Sequence, residues 1–310
     1  MKDSIDTSVN IAGITMQNPV MTASGTFGFG REYGDFYDIN KLGALVTKGL
    51  TLLPKEGNPP PRIWETPAGM LNSVGLENPG VEKFIEEEWP YLSKLSIPII
   101  ANIDGDTVEE YQETAEKLST LKKLAALEVN ISCPNVEKGG LAFGQDPKSA
   151  FEVIEAVRKA TNLPIIAKLS PNVTHIQEIA KAAVSAGADA LSLINTIVGA
   201  AIDIDKQQPV FSRTFAGLSG PAVKPIALRM VWEVCDAVDV PVIGMGGITT
   251  WQDAVEFILA GATAVAVGTA NFVNPTAPLE IIEGIKSYVK MKGQSMESLI
   301  GAARNGKNNI

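Results

Sequence analysis

Eight short runs of apolar, mostly β-branched residues recur along the chain, and stretches with helical periodicity lie between them. The runs are PVMTA (19–23), ALVTK (44–48), PIIAN (98–102), LEVNI (127–131), PIIAK (164–168), ALSLIN (190–195), PVIGM (241–245) and AVAVG (264–268). Near-continuous hydrophobicity is typical of strands that are buried on both faces, as in a parallel sheet. Eight such strands alternating with helices predict an α/β fold, a TIM (β/α)8 barrel. A doubly wound sheet is the structural alternative.

Three segments depart from a minimal barrel. The opening VNIAGITMQNP (9–19) has two short runs about a turn-like centre, which predicts an N-terminal hairpin closing the far end of the barrel. Residues 49–80 and 196–225 are too long for ordinary connections. Because loops after strands lie on the face where barrel active sites form, we expect both to be long active-site loops covering a ligand. No linker or repeat interrupts the chain, so we expect one domain over residues 1–310.

Charge and composition narrow the function. The net charge of −9 and the pI of about 4.9 disfavour binding to nucleic acid or to an anionic membrane. Cys133 and Cys235 are too few for a disulfide scaffold, a four-cysteine zinc site or an iron–sulfur cluster, and the single His175 leaves no multi-histidine metal site, so no metal is expected. The polar N-terminus and the absence of a long apolar run indicate a cytoplasmic protein.

Polar or glycine residues stand where each predicted strand ends. Singly, each has an ordinary explanation, since Asn caps helices and Lys lies at rims; together they predict a binding site. In chain order they are Ser24, Lys48, Asn102, Asn130 with Cys133, Lys168, Asn195 with Thr196, Gly246 with Gly247, and Gly268 with Thr269. The last two strands end in GMGGI and AVGTA, where glycines let backbone amides approach a phosphate. Close packing of helix against strand is the alternative explanation for these glycines.

The loop NISCPNVEKGGLAFG (130–144) carries the most specific signal. A free thiol with a pKa near 8.5 is only about 3% ionised at pH 7, and no histidine lies nearby in sequence to form an ion pair. We therefore interpret Cys133 as a base that abstracts a proton, not as a hydrolytic nucleophile. A small buried filler is the alternative role, and it suits Cys235 better. His175 is expected to be a surface or capping residue without a functional role.

These motifs together resemble class 1 dihydroorotate dehydrogenases, in the same order and over essentially the whole chain. The resemblance is carried by NISCPNV with KGG, TKGLT, GMLNSVGLENPG, AKLSPNVT, INT (194–196), GLSGPAVKP, IGMGGI and VGTANF. The SCPNVEKGG loop is similar to that of the NAD-linked branch. The resemblance implies an FMN-binding catalytic subunit that oxidises dihydroorotate to orotate in pyrimidine (UMP) biosynthesis. It also implies a homodimer joined by a partner subunit with FAD and a [2Fe-2S] cluster, in a heterotetramer.

The same resemblance implies roles for individual residues. Cys133 would take a proton from carbon 5 of dihydroorotate, with Lys48 as the second catalytic residue, while carbon 6 gives hydride to FMN. The substrate would be held by Lys48, Asn72, Gly75, Leu76, Asn130, Asn135, Asn195 and Thr196. FMN would be lined by Ala23, Ser24, Gly25, Lys48, Asn102, Asn130, Lys168 and Ile194, with Gly220, Gly246, Gly247, Gly268 and Thr269 at its phosphate.

Two other functions stay open at this point. A homodimeric dihydroorotate dehydrogenase that passes electrons to fumarate would share the chemistry and differ only in its electron acceptor. A non-redox barrel, such as a phosphosugar isomerase, would use the same phosphate site. Such enzymes usually depend on carboxylates or other acid–base residues at strand ends, whereas this chain has amides, lysines and a cysteine there. A pure binding or scaffold role is the weakest hypothesis.

Overall fold

Eight parallel strands form the centre of the molecule. The computed structural model describes residues 5–132, 134, 135 and 141–305. In chain order the barrel strands are Val20–Thr22, Leu45–Val46, Ile99–Ile103, Leu124–Asn130, Ile165–Lys168, Ala190–Leu193, Val242–Met245 and Ala264–Val267. We refer to them as the first to the eighth strand. Each one overlaps a predicted run, and nearly every residue in them is buried, as expected for strands covered on both faces.

The strands follow one another around a closed ring. Their hydrogen-bonded order runs from the first strand to the eighth and then back down to the second. A parallel bridge between Met21 and Ala44 joins the first strand to the second, and the amide of Gly43 donates to the carbonyl of Val20 at 2.8 Å. A Cβ at Gly43 would lie 2.1 Å from the carbonyl of Asn18, so only glycine fits at this seam. The predicted TIM barrel is confirmed, and the doubly wound alternative is wrong.

Helices surround the barrel and bury one apolar face each. The long ones are Val108–Leu118, Pro147–Ala160, Ile176–Ser185, Lys224–Cys235, Trp251–Ala260 and Ala277–Lys292. A segment of Val81–Lys83, a π-helical turn Phe84–Glu88 and Trp89–Leu92 follows the second strand, and short helices Ala270–Val273, Met296–Leu299 and Ala302–Asn305 lie near the end. Thr107, Asp146 and Thr250 begin three of the long helices by accepting amide hydrogen bonds at the first turn.

Single turns of 3-10 helix occupy several connections. They are Glu32–Asp35, Ile39–Lys41, Phe143–Gln145 and Pro221–Val223. The last of these begins directly after Gly220 and leads into Lys224–Cys235, so it places the loop after the sixth strand close to the loop after the seventh.

The predicted N-terminal hairpin is present. Val9–Ile11 pairs with Ile14–Met16 about a turn at Ala12 and Gly13, and the inward-facing apolar residues of both strands join the main core. Thr15 lines a shallow cavity together with Pro98, which precedes the third strand. The hairpin therefore lies at the amino ends of the strands, opposite the face that carries the predicted site.

The two long segments contain strands that the sequence pattern did not predict. Ile63–Thr66 and Gly69–Asn72 come from the first segment, and Ile197–Ala200 and Phe215–Ser219 come from the second. They form one antiparallel four-stranded sheet, in which Gly69–Asn72 pairs with Phe215–Ser219. A small apolar cluster of Leu71, Phe211 and Ala216 supports it. The two segments therefore meet over the carboxyl ends of the barrel strands.

The remaining strands are short pairs. Pro134–Asn135 pairs with Leu141–Ala142, and Ile202–Asp203 pairs with Gln208–Pro209. In the part of the chain that the structure describes, no helix is both long enough and apolar enough to cross a membrane.

Candidate active site

Lys168 lies at the centre of the barrel mouth. It is the last residue of the fifth strand and is only 5% exposed. Its ammonium donates to the hydroxyl of Ser24, which follows the first strand, at 3.0 Å. The two residues are 144 positions apart in sequence, and the barrel brings them into contact. A buried cation with a hydroxyl partner at this point can stabilise negative charge that develops in a bound ligand.

Glu128 supplies the anion that balances this cation, and sequence reasoning missed it. Its carboxylate oxygen Oε2 lies 3.5 Å from the Nζ atom of Lys168 and accepts a hydrogen bond of 2.6 Å from the amide of Asn102. Its other oxygen accepts from the hydroxyl of Ser192 at 2.8 Å. The available signal was a charged residue inside the apolar run LEVNI, two positions before Asn130, since such a charge is buried only with partners.

Asn130, Asn195 and Thr196 form a continuous hydrogen-bonded row beside this group. Asn195 donates to the Oδ1 atom of Asn130 at 2.9 Å and accepts from the amide of Thr196 at 2.8 Å. Asn130 donates in turn to the buried carboxylate of Asp104 at 2.7 Å, and its carbonyl accepts from Tyr111. These contacts decide which end of each amide faces the mouth. Asp104 also was missed by the sequence analysis.

Asn72 approaches the same mouth from the four-stranded sheet. Its side chain donates to the carbonyl of Gly217 at 3.2 Å, across the pairing of the two long segments. A Cβ at Gly217 would lie 2.2 Å from the hydroxyl of Thr196, so the sheet packs directly on the row of polar residues. Gly75 and Leu76 follow outside any regular element, with φ angles of 76° and 56°. The structure thus places these four predicted residues in adjoining segments.

Lys48 follows the second strand and is half-buried. Its amide donates to the carbonyl of Gly28 at 2.9 Å, which ties the loops after the first two strands together. Burial lowers the pKa of its ammonium, the carboxylate of Glu77 opposes that shift, and the guanidinium of Arg62 adds to it. A cation of this kind suits a carboxylate ligand, because pairing compensates for the cost of burying both charges.

The glycines predicted to hold a phosphate lie together. Gly220, Gly246 and Gly247 have φ angles of 101°, 120° and 77°, which favour glycine over other residues. A Cβ at Gly247 would lie 2.9 Å from the carbonyl of Gly220, so the loops after the sixth and seventh strands are in close contact. The hydroxyl of Thr269 donates to that of Ser219 at 2.8 Å, which brings the loop after the eighth strand to the same place.

These loops carry backbone amides that are available to bind an anion. Within the described residues, the amides of Gly247 and Thr269 make no hydrogen bond to another backbone group, and both residues are partly exposed. Unengaged amides that converge from two loops are the donor set that a phosphate requires. The residues present therefore fit a phosphate-bearing cofactor.

Two of the remaining predicted cofactor contacts, Ala23 and Ile194, lie next to this group of loops. We call the group the anion cradle, and it comprises Gly220, Gly246, Gly247, Gly268 and Thr269. The amide of Ala23 donates to the carbonyl of Val267 at 2.9 Å, and a Cβ at Gly268 would lie 3.6 Å from the Cβ of Ala23. Ile194 is buried, and its side chain would lie 3.2 Å from a Cβ at Gly246. Gly25 is exposed at the start of the loop after the first strand. Asn271, which was not predicted, links the loops after the first and eighth strands by donating to Thr26 at 3.2 Å.

The sequence assigned roles to four further residues, and the structure bears on these roles to different extents. Cys133, the proposed base, lies outside the described residues, and Asn135 is described only as part of a short strand. His175 is exposed at the N-cap of Ile176–Ser185 and makes no side-chain capping bond, so it is a surface residue as expected. Cys235 packs against the core, and burial raises the pKa of its thiol to about 11, which agrees with its predicted role as a filler.

Comparison with known proteins decides the family. A family model described as dihydroorotate dehydrogenase matches residues 7–289 of the chain. The chain belongs to the dihydroorotate dehydrogenase family. A relative from Geotalea uraniireducens is 58% identical over 298 residues, covering 96% of this chain and 98% of the relative. A relative from Geobacter sulfurreducens is 56% identical over the same length and with the same coverage.

A third relative, from Thermoanaerobacter pseudethanolicus, is 56% identical over 297 residues, again covering 96% of this chain and 98% of its own length. All three relatives are named dihydroorotate dehydrogenase B (NAD(+)), catalytic subunit. Membership of the dihydroorotate dehydrogenase family confirms the resemblance drawn from the motifs. The non-redox barrel is thereby disfavoured, because the family is named for a dehydrogenation.

Proposed function

We propose that this chain is the FMN-binding catalytic subunit of an NAD-linked dihydroorotate dehydrogenase, which oxidises dihydroorotate to orotate in pyrimidine biosynthesis. The observation that carries the proposal is the arrangement at the barrel mouth. A buried ammonium at Lys168 and an ordered row of amides at Asn130 and Asn195 lie beside a glycine-lined anion cradle. The family and the printed names of the relatives support the same reaction.

The cofactor would lie across the mouth of the barrel. Its phosphate would be held by Gly220, Gly246, Gly247, Gly268 and Thr269, and its ring and ribityl chain would contact residues at the ends of the first to sixth strands. Those residues are Ala23, Ser24, Gly25, Lys48, Asn102, Asn130, Lys168 and Ile194. When bound, FMN supplies a hydride acceptor. Lys168 would stabilise the negative charge that appears on the ring only after reduction.

The substrate would bind against the row of amides. Neutral amides suit a pyrimidine ring because each offers both a donor and an acceptor to the imide edges of the ring. The substrate contacts would be Lys48, Asn72, Gly75, Leu76, Asn130, Asn135, Asn195 and Thr196. Lys48 would pair with the substrate carboxylate, and its half-buried position strengthens that attraction.

Cys133 would act as the base, and this step rests on the sequence alone. Its thiolate would take the proton from carbon 5, and the electrons of that bond would form the double bond to carbon 6 as hydride leaves carbon 6. Cys133 would then carry the proton as a thiol until it is released to solvent. A thiol of this kind persists in a reducing compartment, which suits a cytoplasmic enzyme.

Electrons would leave through a second subunit. Two cysteines cannot build an iron–sulfur cluster, and the sequence has no G-x-G-x-x-G motif that opens a dinucleotide-binding unit. We therefore assign FAD and a [2Fe-2S] cluster to the partner, which would join a homodimer of this chain in a heterotetramer. The words "catalytic subunit" and "NAD(+)" in the names of the relatives support this arrangement. In this proposal residues 1–310 form one FMN-binding domain.

The deciding experiment compares the lone chain with the chain purified from its native cells. The lone chain should be yellow, should release about one FMN per chain on acid precipitation, and should be bleached by dihydroorotate under anaerobic conditions. NAD reduction should require a co-purifying subunit that carries FAD and iron. Fumarate turnover by the lone chain would instead identify the fumarate-linked type, and a chain without flavin would contradict the proposal.

A further inference from the structure

Glu128 lies in the floor of the candidate site and contacts three polar side chains there. It is 1% exposed, and its oxygens accept from Asn102 at 2.6 Å and from Ser192 at 2.8 Å, with the ammonium of Lys168 at 3.5 Å. A buried carboxylate is strongly unfavourable unless it is paired with a cation and hydrogen-bonded. Because both oxygens are engaged, Glu128 is a fixed anion at a defined place.

The first consequence concerns Lys168. A lysine ammonium sits on a flexible four-carbon stem and has no preferred direction of its own. Here it is held between the carboxylate of Glu128 and the hydroxyl of Ser24, which lies 3.0 Å away. Register pairing places Lys168 directly beside Asn130 and Ser192 on the neighbouring strands, so the floor of the barrel leaves it little room to move.

The second consequence concerns Asn102. The two ends of an amide side chain are nearly identical in shape, so hydrogen bonds decide which end faces where. The nitrogen of Asn102 donates to Glu128, and its oxygen therefore points to the opposite side. A Cβ at Gly49 would lie 2.9 Å from that oxygen, which directs the acceptor toward the loop that carries Lys48.

We propose that Glu128 is a positioning residue for the flavin site, which holds the ammonium of Lys168 beside Ser24 and keeps the amide oxygen of Asn102 turned toward Gly49. Glu128 acts through these two side chains and not through a contact with ligand. The inference rests on the proposed function, because it takes Lys168 and Asn102 as contacts of FMN.

Glu128→Gln removes the negative charge of the side chain while nearly keeping its shape. The glutamine oxygen can face Asn102 and Lys168, while its amide nitrogen can donate to Ser192, whose hydroxyl can accept as well as donate. The test measures the midpoint potential of bound FMN in the wild type, Glu128→Gln, Lys168→Ala and the double variant. In the wild-type background, Lys168→Ala should lower the potential. In the Glu128→Gln background, the drop in potential that Lys168→Ala causes should be smaller by about twofold or more, because the effects of residues in contact are not additive.

Equal steps in the two backgrounds would overturn the proposal. Ser192→Ala is the matched control: it removes one hydrogen bond from the same carboxylate but keeps its charge and its contact with Lys168, so the Lys168→Ala step should stay at its wild-type size. If Glu128→Gln fails to fold, Glu128→Asp tests the same point, because the shorter side chain withdraws the carboxylate from Lys168 while keeping the charge. An undiminished step in that variant would also overturn the proposal. A wild type without flavin would contradict the proposed function itself, whereas equal steps in flavin-loaded protein contradict only the role of Glu128.

Discussion

The side-chain nitrogen of Asn195 donates to the side-chain oxygen of Asn130 at 2.9 Å, although the two residues are 65 positions apart. Asn130 donates in its turn to Asp104, and Asn195 accepts from the amide of Thr196. Each amide therefore has one fixed orientation that is set by the protein. A pyrimidine bound against this row would meet donors and acceptors in a fixed order, which is what discrimination between similar rings requires.

Asn195→Asp tests this row. The variant replaces the donating nitrogen by an oxygen opposite the Oδ1 atom of Asn130, so two acceptors face each other at a cost of about 1–3 kcal/mol. Orotate affinity, followed by the absorbance of the bound flavin, should fall about tenfold or more. Asn10→Asp, at an exposed position of the N-terminal hairpin, is the control and should bind orotate like the wild type. Unchanged affinity in Asn195→Asp would remove the row from substrate binding.

Cys133→Ser tests the proposed base. A hydroxyl is a far weaker acid than a thiol, so flavin reduction by dihydroorotate should slow by roughly 10²-fold near neutral pH, while FMN binding survives. Cys235→Ser is a matched control, because this thiol packs against the core away from the mouth and burial raises its pKa to about 11. Stopped-flow reduction under anaerobic conditions measures both variants. Wild-type rates in Cys133→Ser would exclude it as the base.

Gly247→Ala tests the anion cradle. Gly247 has a φ angle of 77°, and a Cβ there would lie 2.8 Å from the amide of Lys224. FMN affinity should fall by about tenfold or more, while the rate of flavin reduction at saturating FMN stays near that of the wild type. Gly293→Ala is the control: its φ angle is 63°, but a Cβ there would meet nothing within 4 Å. That variant should lose about 1 kcal/mol of stability without a change in FMN affinity.

Orotate binding should depend on pH through the ammonium of Lys48. Burial lowers the pKa of its ammonium from the ordinary value of 10.5, so the cation is lost as the pH rises through a point below that value. Orotate affinity should therefore be full at neutral pH and should fall by up to about tenfold per pH unit above that point. Lys48→Arg keeps its charge in this range and should show a flatter profile, and the ratio of the two profiles cancels the ionisation of orotate. Identical profiles would mean that Lys48 does not pair with the substrate.

The barrel was predictable because its strands are buried on both faces. A run such as PIIAK (164–168) has to be apolar up to its last residue, Lys168, so local pattern alone identifies it. Polar residues at the ends of such runs then have to converge, and Lys168 does meet Ser24. This part of the site needed only the count of strands and the rule that parallel strands end on the same side.

The four-stranded sheet was not predictable from local pattern. Ile63–Thr66 is largely exposed and follows a proline-rich stretch, and its neighbours Gly69–Asn72 and Phe215–Ser219 gain their partners only when distant segments meet. Strand formation there depends on pairing, not on the intrinsic preference of the residues. The role of Glu128 was not predicted for a different reason. It lies within an apolar run, and its partners come from three other strands, which the local sequence does not show.

The pairing of the two long segments has a consequence for how the protein is made. Asn72 bonds to Gly217, which is 145 positions later, and the anion cradle is completed only at Thr269. Contacts between such distant positions cannot form until the later segment has left the ribosome. A nascent chain that ends before Phe215 lacks the strand that Gly69–Asn72 pairs with, and it also lacks Gly220, Gly246, Gly247 and Gly268 of the anion cradle. We therefore expect a nascent chain to bind flavin only after its seventh and eighth strands have been synthesised. A barrel that lacks these two strands should not bind the cofactor.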